Sequence, residues 1–290
     1  MSTQHRLIAV HNMTRAVILF VFAIFIAYLV KEGFLQLYIA PRLVLLVKLT
    51  AITLYVMGMF QLSNVLSHCF GKQHHCHCGH TPTGPAWKQI TIYGLFILPI
   101  LLGVLLPNTT MGTAVAMKKG MNLSASSSGR TLTPLIEQAV PTGEFSEMFS
   151  SDITNGSITK LAKSLYEQDV MILQEELFME SITAIDLYKD EFQGKTIELV
   201  GFVYRDPEMN NEQFVIGRFT MDCCSADALP YGILVESNKA ARYQNDEWLK
   251  VRGTIGKTMY QGRSVIVIAP TTIERMEEPD SPYVYPNYNY

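Results

Sequence analysis

Along this chain two kinds of hydrophobic pattern follow one another, and the change comes near Pro107. Before it the apolar residues run without a break. From Ala16 to Val30 every side chain is apolar or aromatic, with Arg15 and Lys31 placed to carry their charges to opposite interfaces. This run is short of the roughly 20 residues that a bilayer span needs, so Asn12 to Thr14 or the chain from Gly33 must extend it. A second run, Leu43 to Leu66, is interrupted by Lys48, Gln61, Ser63 and Asn64, and Lys48 lies close enough to its start to snorkel. The third, Ile90 to Leu106, carries Pro99 in its middle and stops at Pro107, the pattern of a kinked span. The stretch Phe34 to Pro41 is too short to cross and fits an interfacial or re-entrant turn. No small-x-small cleavage site follows the first run, which therefore reads as an uncleaved anchor.

After Pro107 the pattern shortens. Residues 108–150, with Lys118-Lys119-Gly120 and Ser124-Ala-Ser-Ser-Ser-Gly129, read as a flexible linker whose lysines lie near lipid headgroups. Within 151–188 an amphipathic helix is expected from the N-cap Ser157 to about Gln168, because Ile158, Leu161, Ala162, Leu165 and Tyr166 recur at helical spacing. From Lys195 the period falls to two, giving strands at Thr196–Tyr204, Gln213–Phe219, Tyr231–Glu236, Trp248–Ile255, Ser264–Ile268 and a short Thr272–Arg275. Turn residues separate them: Asp206-Pro-Glu, Leu229-Pro, Gln244-Asn-Asp and Gln261-Gly-Arg. Glycines in the first and fourth strands give 189–278 the layout of an OB-type small barrel, and 279–290 reads as a disordered or loosely docked tail. The expected architecture is a helical membrane domain, 1–107, and an all-β C-terminal domain with a flanking helix.

Charge narrows the partners. The net formal charge is −3, and the segment from Lys189 onward holds eleven basic and fifteen acidic side chains. A phosphate backbone needs a basic face, so nucleic acid is not an expected partner, while the lipid bilayer is. The positively charged residues flanking the spans balance, so orientation rests on the first helix, which puts the N-terminus in the cytoplasm and the C-terminal domain outside.

Candidate chemistry is concentrated in two places. Between the second and third runs, residues 68–80 hold His68, Cys69, His74, His75, Cys76, His77, Cys78 and His80, eight imidazoles or thiols in thirteen residues. Thiolate and imidazole are the donors that zinc and copper prefer, so a transition-metal loop is expected. The donors are too dense for one tetrahedral ion of zinc-finger type, and a labile or multi-ion loop fits better. The second place is Asp222-Cys223-Cys224-Ser-Ala-Asp227, after the second strand. Adjacent thiols with carboxylates can form a strained vicinal disulfide, bind a soft metal, or stay free, one of them packed inside. Redox enzymes space the pair as Cys-x-x-Cys, which disfavours a thiol oxidoreductase. All seven histidines precede residue 81, and there is no nucleophile elbow, phosphate-cradling glycine loop or HExxH. No enzyme is expected.

Taken in order, the membrane segment with its His-rich loop, the Pro107 exit, Gly194-Lys195 with Gly201-Phe-Val203, Arg218-Phe219 with Cys223-Cys224-Ser-Ala-Asp227, and Trp248-Leu-Lys-Val-Arg-Gly253 resemble the YcgQ-type family of bacterial membrane proteins. The resemblance covers nearly the whole chain, and its most specific piece is the Cys-Cys-x-Ala-Asp loop. It implies a multi-pass protein of the bacterial cell membrane, one subunit of a two-component permease, whose partner of the YcgR type is polytopic and contains the transport pathway. It supplies no substrate. The alternative is a membrane-tethered OB-like module that binds a ligand or partner without a transport role.

Overall fold

A computed structural model describes residues 3–69, 86–124 and 156–287. The chain divides into two compact units, Met1–Thr109 and Thr110–Tyr290.

In the first unit the three apolar runs become the helices α1 (Thr3–Lys31), α2 (Val44–Cys69) and α3 (Ala86–Leu105). The segments long and apolar enough to cross a membrane are Val10–Lys31, Pro41–Leu66 and Trp87–Leu105. The first does recruit Asn12 to Thr14. Gly33, with φ of 76°, ends α1 in a left-handed conformation that favours glycine, and 3-10 turns at Phe34–Leu37 and Pro41–Leu43 lead into α2. Thr14, Thr50, Thr53 and Thr91 each donate to the carbonyl four residues back, and Ser63 to that of Phe60. These hydroxyls therefore need no water and can face hydrocarbon. Glycines let the helices approach: the Phe20 ring lies 3.2 Å from where a Cβ on Gly58 would sit, and the Phe25 ring occupies the corresponding place at Gly103. Away from these contacts Leu49, Ile52, Val56, Ile90, Leu101 and Val104 are exposed, as lipid-facing residues must be.

Among the described residues the second unit has seven strands: β1 (Val170–Ile172), β2 (Thr196–Tyr204), β3 (Gln213–Thr220), β4 (Leu229–Glu236), β5 (Trp248–Tyr260), β6 (Arg263–Met276) and β7 (Tyr283–Val284). Antiparallel pairings run β3–β2–β5–β6 and β3–β4, and a parallel pairing of Leu234-Val235 with Val267-Ile268 joins β4 to β6. The hydrogen-bonded order of these five strands thus returns on itself. The β5–β6 hairpin turns at Gln261-Gly262, both with positive φ, as the tight turns that match strand twist require. Helices α5 (Gly156–Tyr166) and α6 (Phe178–Leu187) cover one side, and Leu161, Leu165, Ile182 and Ile185 join Ile197, Leu199, Phe214, Val251 and Ile266 in one core.

The structure differs from the sequence-based expectation at three points. The 108–150 segment does not begin as a tether: Thr113–Lys119 is a helix, α4, and residues 110–124 pack on the β unit. Its start is capped from a distance, because Asp246 Oδ1 accepts from both the Thr113 N–H and hydroxyl at 2.6 Å. Its end is tied down by Asn122, which exchanges backbone hydrogen bonds with Pro230 and Gly232. The tail is also ordered to residue 287, with β7 parallel to β3 and the Asn287 N–H donating to the buried Glu180 at 2.7 Å. Finally, the two expected short strands after residue 263 are one strand that passes through Pro270.

Candidate functional site

Asp222, Cys223, Cys224 and Asp227 lie in the connection between β3 and β4, and Asp227 organises them. Its Oδ1 accepts the Asp222 N–H at 2.9 Å, and its Oδ2 accepts those of Cys223 at 2.8 Å and Cys224 at 3.3 Å. The Asp227 N–H in turn donates to the Cys224 carbonyl at 3.0 Å, closing a tight turn. The chain needs an acceptor with several lone pairs at this point, because three successive N–H groups converge where no strand can pair them. Lys119 of α4 braces the other side of the loop, donating to the carbonyls of Ala228 at 2.6 Å and Ala226 at 3.0 Å. This lysine is thus a structural part of the loop.

Both cysteines are free thiols, and their Sγ atoms stand 3.6 Å apart, well beyond a disulfide bond of about 2.05 Å. One donor atom from each of Cys223, Cys224 and Asp227 lies within 4.8 Å of the others. Asp222 is outside this group and joins the site through its backbone. Cys223 faces solvent, whereas Cys224 and Asp227 are half-buried. Hydrogen bonds to Asp227 and then to Cys224 push the Cys223 thiol up to about 12. Burial alone would raise the Asp227 carboxyl, but the Cys223 thiol and the three backbone N–H groups hold it below the usual carboxylate range.

At pH 8 Cys223 is short of thiolate despite its exposure, so iodoacetamide is expected to modify it slowly. Asp227→Asn removes the negative acceptor and is expected to raise that rate by about tenfold, one unit of thiol pKa. Peptide mapping of the alkylated full-length chain measures it, and an unchanged rate would show that Asp227 does not restrain the thiol.

Beneath the loop β3 carries a buried cation, Arg218, whose place in the sequence motif gave no sign of its burial or its partners. Arg218 donates through Nη1 to Glu175 at 2.7 Å and through Nη2 to the Ser281 carbonyl, and its guanidinium lies 5.4 Å from the Trp248 ring centre. It joins the segment before α6, the tail and the strand that leads into the cysteines.

Of the other expected donors, His68 and Cys69 fall in the last turn of α2, with no description of their side chains. His74, His75, Cys76, His77, Cys78 and His80 lie outside the described residues.

Residues 14–122 match the model of the DUF1980 N-terminal domain, and residues 148–286 that of the DUF1980 C-terminal domain. The UPF0703 protein YcgQ of Bacillus subtilis is 28% identical over 203 residues, 69% of this chain and 70% of that protein. A Streptococcus mutans protein named "Putative two-component membrane permease complex subunit" is 26% identical over 211 residues, 66% of this chain and 72% of its own length. No solved structure matches.

Proposed function

The chain belongs to the DUF1980, YcgQ-type family, both of whose domains it carries in order, and from that premise we propose that it is the accessory subunit of a membrane permease. The observation that carries this reading is the likeness, over two thirds of the chain, to a relative whose name makes it a subunit of a two-component permease complex. Three spans with lipid-exposed apolar faces anchor a chain firmly but are too few to enclose an alternating-access pathway of their own. The pathway then belongs to a polytopic partner of the YcgR type, against which α1, α2 and α3 dock in the bacterial cell membrane.

The β unit is the part of the subunit that works in water. Its five-strand ring, with β6 paired parallel to β4 and antiparallel to β5, supports an OB-type arrangement as its fold. With three spans and a cytoplasmic N-terminus this unit lies outside the membrane, where it meets a ligand or the outer face of the permease. The loop at 68–80 gathers a transition metal, zinc or copper, through its eight thiols and imidazoles.

Purification of the full-length chain in mild detergent tests the main claim. A polytopic membrane protein is expected to co-purify in stoichiometric amount, and to be lost when Gly58 and Gly103 are both replaced by Leu, which displaces Phe20 and Phe25 and alters the helical face. If no polytopic partner is retained, and a soluble ligand is, the membrane-tethered binding module is the correct reading. Elemental analysis of the same preparation, with and without Ser at Cys69, Cys76 and Cys78, tests the metal loop separately.

A further inference from the structure

We propose that Cys223, Cys224 and Asp227 form a second metal site, separate from the loop at 68–80, for a thiophilic divalent cation of the zinc class with one coordination position left open.

The geometry selects the ion. Zn–S bonds of about 2.3 Å at a tetrahedral angle place the two sulfurs ~3.8 Å apart, and a linear S–metal–S unit would place them ~4.6 Å apart. The observed 3.6 Å suits the first and excludes the second without a movement of the loop. Two thiolates also reject hard cations, for which oxygen donors are the usual ligands.

The third donor is already aimed. A carboxylate oxygen of Asp227 lies within 4.8 Å of both sulfurs, close enough for one cation to reach all three donors. Binding breaks two S–H bonds, forms two metal–sulfur contacts and one metal–oxygen contact, and releases two protons to solvent. No electron is transferred. Asp227 keeps its backbone N–H partners throughout, so the loop does not have to refold around the ion.

Three protein donors leave a fourth position for water or for a donor carried by another molecule, the arrangement of an exchangeable site and not of a closed structural one. Exposure of Cys223 puts that position on the solvent side. The site thus has the chemistry of a hand-over point, at which an ion is taken from or given to a competing ligand. This use rests on the metal-handling half of the proposed function, whereas binding itself does not.

The test uses the full-length chain in detergent with Cys69, Cys76 and Cys78 replaced by Ser, titrated with Co(II) alone. One equivalent is expected to give the near-ultraviolet sulfur-to-cobalt charge-transfer band and intense visible bands of a tetrahedral thiolate site, displaced by Zn(II) with two protons released per ion. The histidines left in the loop cannot give the sulfur band. Cys223→Ser and Cys224→Ser should each abolish it, and Asp227→Asn, which removes a direct ligand, should weaken affinity by at least the roughly 10-fold that loss of an outer-shell partner costs. Cys223 is exposed, so its replacement leaves the core intact, and circular dichroism of each variant confirms the fold. No sulfur band, or one that persists in Cys223→Ser, overturns the site. Neither result touches the permease reading, which stands or falls on co-purification.

Discussion

Removal of Glu175 is expected to destabilise the β unit more than removal of the arginine it pairs with. Arg218 and Glu175 make a 2.7 Å ion pair, but their side chains are 2% and 46% exposed. In Arg218→Met the abandoned carboxylate has water at hand, and the methionine fills most of the vacated space, so the cost is that of lost hydrogen bonds, about 1–2 kcal/mol. In Glu175→Ala the guanidinium stays inside with its main countercharge gone. Its remaining support is the Ser281 carbonyl and the face of Trp248, and the loss is expected to be about 3 kcal/mol or more. The two variants should differ in a second way. Arg218→Met cuts the bond to Ser281 and loosens residues 281–287, which then become the first site of proteolytic cleavage. Denaturant titration followed by Trp248 emission, with Trp87 replaced by Phe, ranks the two, and a larger loss in Arg218→Met would mean that the tie from Arg218 to residues 281–287 outweighs the buried charge.

That pair also marks where a linear reading runs out. The strand Thr196–Tyr204 is legible because buried and less buried residues alternate through Val200 before a run of buried ones, and the three spans because long apolar runs have one physical use. Tyr283–Val284 has neither property. Two residues cannot show a period, and they form a strand because β3 offers a free edge at Phe219–Thr220 and Arg218 fixes the residues before them. The same holds for α4, whose seven residues would be marginal alone and whose cap, Asp246, comes from the β2-to-β5 side of the ring 133 residues away. Pro270 splits the pattern of β6 for a local reason. It pairs with Gly253, and the register shifts between Arg252 and Gly253, so the missing N–H falls at an irregularity where it costs little. In the candidate site the residue types were legible and the roles were not. Cys223, Cys224 and Asp227 stand out by composition, yet only the folded turn shows Asp227 collecting three backbone N–H groups, with Lys119 behind it.

Gly201→Ala is expected to unfold the β unit while leaving the chain in the membrane, and Gly256→Ala, on a neighbouring strand, to do neither. A Cβ on Gly201 would overlap the carbonyl oxygen of Gly217 and sit 3.0 Å from that residue's C and N atoms. These are backbone atoms of β3, at the crossing where β2 leaves β5 and pairs with β3 through Phe202, Val203 and Tyr204. No rotamer change relieves such a contact. Either the strands part, which opens the ring and exposes Val203 and Ile216, or the sheet distorts. Overpacking typically costs about 1–3 kcal/mol, and a clash with backbone that cannot turn aside belongs at or above the top of that range, a large share of the roughly 5–15 kcal/mol that holds a domain together. Gly256 is on β5, but a Cβ there would meet a methyl group of Val267 at 3.4 Å and the carbonyl oxygen of that residue at 3.9 Å, both ordinary contacts. Its replacement is expected to change stability by less than about 1 kcal/mol, because reduced freedom of the unfolded chain offsets part of any crowding. Membrane retention of both variants, together with Trp248 emission in the Trp87→Phe background, separates anchor from fold. A normally folded Gly201→Ala would mean that β2 and β3 approach less closely than the ring requires, and the closure that sets the Cys223–Cys224 loop in place would lose its basis.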